Sequence, residues 1–260
     1  MSMPLQKVFV SIIILFIMSA NWNPWHGCHK YSEGCKNCYV FRGDLKYDRD
    51  TENVVKTQSF NMPVSKNRKG EYKLSSGELV WLCFSSDFFL SDADAWRADA
   101  WKMIKERSDC NFLFITKRIL RFYDCIPPDW GDGYENVTIV TTVENQKRAD
   151  ERLPFFLSLP IKHKCITSEP LLEEINLSPY LNETIESVVA GGESGENARE
   201  CRYEWILKIR DACVKNNVPF SFKQTGANFI KDGVRYNVPR KYQHIQAKKA
   251  NIDFRPKFRF

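Results

Sequence analysis

No internal repeat and no low-complexity segment runs through the 260 residues, which excludes solenoids, propellers and fibrous arrays. No apolar stretch reaches the length of about 20 that a membrane-spanning helix needs. The longest, residues 8–20, has thirteen. Nine cysteines is an odd count, and six are scattered: Cys83, Cys110, Cys125, Cys165, Cys201 and Cys213. That argues against the disulfide framework of a small secreted scaffold and fits a reducing cytoplasm. No Gly-Lys-Ser/Thr follows the glycine cluster at 191–195, so there is no P-loop. No fourth cysteine stands beside Cys28, Cys35 and Cys38, so this loop alone supplies three thiolates rather than the four of a closed site.

What the chain does have is that trio, within Gly27-Cys-His-Lys-Tyr-Ser-Glu-Gly-Cys-Lys-Asn-Cys38. Cys35 and Cys38 have the Cys-x-x-Cys spacing. Cys28 reaches back across a loop that holds Gly27 and Gly34, residues tolerant of unusual backbone conformations. Three protein ligands leave one position open for chemistry. On a 4Fe–4S cubane, the amino nitrogen and carboxylate of S-adenosylmethionine (SAM) can chelate the fourth iron. Electron transfer to the sulfonium then releases a 5′-deoxyadenosyl radical. Two other readings stay open. His26 and His29 flank Cys28, so a Cys3His zinc site is one; a redox pair of Cys35 and Cys38 is the other.

At 260 residues the chain fits one large domain or two small ones and buries about three quarters of its unfolded surface. Cys83 and Cys165 lie in apolar runs and are expected in the core. The net charge is +6. Residues 231–260 hold nine Lys or Arg against Asp232 and Asp253, a balance of +7, so the rest sums to −1. Tyr236, Tyr242, Phe254, Phe258 and Phe260 are interleaved there, with Phe229 just ahead. Such a mixture suits phosphate neutralisation and base stacking, or else an extension packing its aromatics on the barrel. Residues 1–17 read as a start-site extension ahead of Met18, as a first strand or as an apolar leader of signal-peptide type. No stable membrane association is expected.

From Leu79 onward, apolar strand-like runs alternate with helical patterns. Strands are expected near 80–84, 112–115, 137–143, 164–167, 187–190 and 219–222, with helices over 92–107, 147–157 and 203–216. The first helix is expected to bury Ala93, Trp96, Ala100, Met103 and Ile104. Alternation of this kind argues for a parallel sheet. Asp87, Lys117, Arg118, Glu144, Glu169, Glu193, Lys223 and Gln224 all fall at or past C-terminal strand ends, the rim that carries the active site in barrel enzymes. The fold expected is therefore α/β, a partial (β/α) TIM-like barrel of about six parallel strands, with a further short strand near Trp22–Trp25. It occupies 18–230, with a cysteine loop at 26–39, an irregular insertion at 40–78 and a basic aromatic tail at 231–260.

Each rim residue has a functional and a plain reading. Gly191, Gly192, Glu193 and Ser194 form a turn whose backbone can approach a ligand closely, with Glu193 accepting from an amine or ribose hydroxyl; otherwise it is a tight strand-to-helix turn. Asp87 and Glu169 bind a cationic amine or cap the next helix. Lys117 and Arg118 hold a carboxylate or phosphate, or pair with a neighbouring rim acid. Lys223 and Gln224 divide the same way. Glu144 holds a ribose with Asn145, or starts the next helix.

These motifs, from Trp22-Asn-Pro-Trp-His-Gly-Cys28 and Gly34-Cys-Lys-Asn-Cys-Tyr39 through Ser86-Asp87-Phe88, Ile115-Thr-Lys-Arg118, Val143-Glu-Asn-Gln146, Ala149-Asp-Glu-Arg152, Ser168-Glu-Pro-Leu-Leu172 and Gly191-Gly-Glu-Ser-Gly195 to Pro219-Phe-Ser-Phe-Lys-Gln224, carry a resemblance. The chain resembles a phage-associated three-cysteine family named for phage gene products thirty-seven and sixty-eight, which is similar to the radical SAM superfamily. The resemblance implies a 4Fe–4S cluster on Cys28, Cys35 and Cys38, SAM held by Asp87, Glu144, Glu169 and the Gly191–Ser194 turn, and a substrate held by Lys117, Arg118, Lys223 and Gln224. It also implies a separate electron-donor protein and, with the basic tail, a nucleic acid or nucleotide substrate. Two features depart from the superfamily pattern. Six residues rather than three separate the first two cysteines, and the Gly-Gly-Glu element follows a late strand. A zinc-stabilised nucleic-acid-binding module and a metal-dependent nuclease using the rim acids are the alternatives.

Overall fold

The computed structural model describes residues 19–257; the expectations for residues 1–17, Phe258 and Phe260 lie outside them. Seven strands form one all-parallel sheet: β1 (Ser19–Trp22), β2 (Leu79–Leu82), β3 (Asn111–Thr116), β4 (Val137–Thr142), β5 (His163–Ser168), β6 (Ile185–Gly191) and β7 (Phe220–Gln224). Their spatial order is their chain order, with β1 and β7 at the two ends of the sheet, and Phe254 bridges the outer side of β7 at Phe220. In a doubly wound sheet the order reverses once and helices cover both faces. A strictly sequential order with right-handed crossovers puts every helix on one face. The other face is then the inside of a half-barrel.

Alternation along the strands sorts the side chains accordingly. Phe112 and Phe114 of β3, Ile139 of β4 and Ile166 of β5 join the main core under the helices. Leu113, Val140 and Cys165, with Leu79, Trp81 and Ile115 against them, form a small second cluster on the inner face.

The seventh strand differs from the expected short one at Trp22–Trp25. It lies earlier, over Ser19–Trp22, and pairs with β2. Trp25–His26 instead forms a two-residue antiparallel pairing with Val55–Lys56. The helices are α1 (Tyr39–Leu45), α2 (Asp94–Glu106), α3 (Phe122–Cys125), α4 (Gln146–Ser158), α5 (Tyr203–Lys215) and α6 (Arg240–Lys249). Only a 3-10 turn, Ser178–Tyr180, lies between β5 and β6, so the strand–helix alternation is incomplete there.

The buried face of α2 carries Arg97 and Trp101 beside Ala100, Met103 and Ile104, while Trp96 is only partly covered. Arg97 stays buried because Phe88 and Leu90 carbonyls and Asp94 take its N–H groups. Trp101 packs edge-on against Phe88 and Trp130, at 5.0 and 5.3 Å between ring centroids, and donates to the Cys125 carbonyl at 2.7 Å. The segment 40–78 is largely irregular after α1, pinned by Arg107, which donates to the carbonyls of Pro63 (2.6 Å) and Leu74 (2.9 Å). Past β7, Asn228–Lys231 and Val234–Asn237 form a hairpin. Then α6 packs beside β7 with Gln243 and Ala247 buried. Cys83 and Cys165 are buried as expected.

Candidate functional site

A cavity of about 390 Å3 opens at the C-terminal ends of the strands. The three half-buried thiols of Cys28, Cys35 and Cys38 line it. So do Asp87 after β2, Lys117 and Arg118 after β3, Glu169 after β5, Gly192, Glu193 and Ser194 after β6, and Lys223 and Gln224 on β7. Lys223 and Gln224 are successive residues that should point to opposite faces. A register shift between Phe222 and Gln224 lets both reach the cavity. Glu144 and Gly191 are adjacent without lining it.

The cysteine loop takes its shape from the strand ends. Gly27 has φ +100°, a conformation that favours glycine, and its N–H donates to the Ser85 carbonyl at 3.2 Å. Gly34 is needed for a different reason: a Cβ there would stand 3.1 Å from Glu144 Oε1 and from Lys117 Cε. That close approach lets the Gly34 N–H donate to Glu144 Oε1 at 3.2 Å, where the Ser32 hydroxyl also donates. The other oxygen of Glu144 accepts from Arg152 at 2.8 Å, and both side chains are fully buried. Arg118 donates to the His29 carbonyl at 2.7 Å and approaches Cys28 Sγ at 3.8 Å. Asn37 donates to Glu193 at 2.9 Å. Arg148 pairs with Glu33 and holds its carboxyl down at about 2.

Three of the four rim acids are saturated by the protein itself. Asp87 accepts from Thr116 (2.7 Å), the backbone N–H groups of Phe89 and Lys117, and Arg118. Glu144 accepts from Ser32, Gly34 and Arg152. Glu193 carries Asn37 and a two-point contact from Arg199; burial alone would raise its carboxyl, but the Arg199 and Asn37 bonds outweigh it and the net shift is down. Glu169 is the exception. Lys223 donates to Oε2 at 2.8 Å, whereas Oε1 is buried with no partner. The Thr142 hydroxyl on the cavity wall is likewise buried and unpartnered. Lys117 Nζ makes no ion pair with any described residue.

Burial first, and Asp87 second, push the Cys28 thiol up to about 12 against the pull of Arg118. It therefore holds a proton that a cationic metal has to displace. Among the described residues no three His, Cys, Asp or Glu side chains are grouped to ligate one metal ion. A cubane makes no such demand, because each thiolate binds a separate iron. Three thiols lining one cavity, none tied up in a disulfide, with a guanidinium beside Cys28, fit that group. The zinc reading also called on His26 and His29. Neither lines the cavity: His26 Nε2 lies 2.9 Å from Asp44, and His29 Nε2 lies 3.1 Å from Asp92.

Arg152, Arg199, Asn37 and Thr142 were not singled out from the sequence. Arg152 had a signal: it shares a helical face with Ala149, Leu153 and Phe156, all buried, and a cation on an apolar face needs a carboxylate partner. Among the described residues no helix is long and apolar enough to cross a membrane.

No curated protein and no solved structure matches the chain. A protein-family model covers residues 15–252, spanning the half-barrel, the cysteine loop and every rim residue named above. The chain belongs to that family, described as "Protein of unknown function (DUF5131)".

Proposed function

We propose that the chain is an iron–sulfur, SAM-dependent radical enzyme. Its 4Fe–4S cluster is held by Cys28, Cys35 and Cys38, and its reacting centre is the cavity at the mouth of the half-barrel. The observation that carries this reading is the meeting of three free thiols with side chains from the ends of β2, β3, β5, β6 and β7 around one space. The SAM part rests on the resemblance of the motifs to the radical SAM superfamily. Together, cluster and SAM supply one-electron chemistry that no side chain can.

The protein's share is positioning and electrostatics. Arg118 sets a positive charge against the Cys28 sulfur, which offsets the charge of three thiolates. Glu144 and Glu193, each neutralised by an arginine, grip the loop through Gly34 and Asn37. That leaves Glu169 Oε1 as the acceptor for a ligand amine or hydroxyl, and Lys117 and Lys223 as cations for a carboxylate or phosphate. The zinc reading is less supported because both histidines lie off the cavity. The nuclease reading is less supported because Asp87, Glu144 and Glu193 already pair with Arg118, Arg152 and Arg199.

Anaerobic reconstitution should load about four irons per chain and give SAM cleavage under a strong reductant. Cys28→Ser, Cys35→Ser and Cys38→Ser should each abolish both. A folded protein that takes up no iron and leaves SAM intact defeats the proposal.

A further inference from the structure

A second cavity, of about 650 Å3, lies between the Asn228–Asn237 hairpin, α6 and the outer side of β7. Its floor is aromatic: Phe222 and Phe229 are buried side by side, with Tyr203 edge-on to Phe229 at 6.1 Å. Tyr236 and Tyr242 stand on its walls with nearly half of each side chain exposed, at 47% and 43%. Lys231, Arg235 and Lys249 rim it, and none of its lining residues is an aspartate or glutamate. Lys249 makes no ion pair with a described residue, and α6 carries four cations and no acid.

We infer that this groove binds a single-stranded polynucleotide, with unpaired bases stacking on Tyr236 and Tyr242 and phosphates neutralised by Lys231, Arg235 and Lys249. Half-exposed aromatic rings beside cations, Lys249 without an ion pair to any described residue and Arg235 paired only at 3.4 Å with Glu200, are the two components of sequence-tolerant single-strand binding. A duplex hides its base faces and cannot use the tyrosines. The groove also shares a strand with the cysteine cavity. Phe222 faces the groove while Lys223 and Gln224 line the cavity, and His244 of α6 donates from Nδ1 to the Lys223 carbonyl at 2.8 Å. A strand lying in the groove therefore runs past β7, the last strand of the half-barrel, with an adjoining nucleotide within reach of the cavity. The binding site stands independently of the enzymatic reading. Its role in presenting substrate rests on that reading.

The test is fluorescence anisotropy with labelled single-stranded DNA and RNA of about 15 nucleotides, using the full chain without added iron. Binding should weaken with salt, with a log–log slope of about −2 for three neutralised phosphates. Lys249→Gln should flatten that slope by about 0.7. Tyr236→Ala and Tyr242→Ala should each weaken binding about 5- to 100-fold, while Tyr236→Phe, which keeps the ring, stays near the parent. Comparing the DNA and RNA arms tells which backbone is preferred. Equal affinity for duplex and single strand, indifference to the tyrosine variants, or binding only to phosphatidylserine vesicles would each overturn the assignment. Iron loading of Tyr236→Ala should match the parent. Loss of oligonucleotide binding with iron loading intact thus sinks the groove alone, and loss of iron loading with binding intact sinks the enzymatic reading alone.

Discussion

Glu144 couples the stability of the barrel to the shape of the cysteine loop, and the two effects can be separated. Its carboxylate and the Arg152 guanidinium meet at 2.8 Å with both side chains fully buried. Two of the Arg152 nitrogens already lack partners, so removing the carboxylate strands a buried charge. Breaking one side of such a pair costs about 3–5 kcal/mol. With a urea m-value near 3 kcal/mol/M, Glu144→Leu should lower the unfolding midpoint by roughly 1 to 1.7 M. Arg152→Met should cost a similar amount. The double variant removes both charges, and an apolar pair of similar volume is often neutral, so its loss should fall below about 2 kcal/mol. The loop behaves differently. Gly34 N–H and the Ser32 hydroxyl lose their acceptor in Glu144→Leu whatever stands at 152. The double variant should therefore regain stability and still bind iron poorly, measured as irons per folded chain after anaerobic reconstitution. Full iron loading in the double variant, or a cost below about 1 kcal/mol for Glu144→Leu, would refute the reasoning.

Gly34→Ala places a methyl 3.1 Å from Glu144 Oε1 and Lys117 Cε. The fold should survive while iron affinity falls roughly tenfold or more, as for other supports of metal ligands, measured by chelator competition. Trp101→Ala empties a site between Phe88 and Trp130 and should cost about 3–5 kcal/mol in urea unfolding; a loss under about 1 kcal/mol would contradict the packing described. The bond to Glu186 raises the His163 pKa, and the Glu135 carbonyl accepts at its other nitrogen. Both ring nitrogens face acceptors, which only the imidazolium satisfies. The stabilisation is therefore complete below the unfolded value of about 6.5 and is lost as pH rises through the higher folded value. Stability measured from pH 6 to 8.5 should fall more steeply in the parent than in His163→Gln, and identical slopes would remove His163 from the account.

The strands and rim were legible in the sequence because both are local. Runs such as Phe112-Leu-Phe-Ile115 alternate with amphipathic helices, and polar residues such as Lys117 and Glu169 sit where each run stops. Ser19–Trp22 was harder to place because its partner, Leu79–Leu82, lies some 60 residues away across the insertion. The buried face of α2 was misjudged at Arg97, since only the carbonyls of Phe88 and Leu90 make a buried cation tolerable. Within the site, the cysteines and their loop were readable from spacing. What each rim acid does was not, because Asp87, Glu144 and Glu193 look alike until Arg118, Arg152 and Arg199 are seen on them. The basic tail left two readings open, and the hairpin and α6 show its aromatics dividing between packed and exposed.

The bonds that shape residues 28–38 run outward, to Glu144, Arg118, Glu193 and Arg148 on the sheet side, rather than among the sulfurs themselves. A zinc finger collapses when its ion is stripped, since the ion is its core. Here the scaffold owns the curvature of the loop, so if the proposed cluster is lost, the receptacle around the three thiols keeps its shape. Under the proposed function, loss of the cluster would then be reversible: the stripped chain should stay folded and take iron up again.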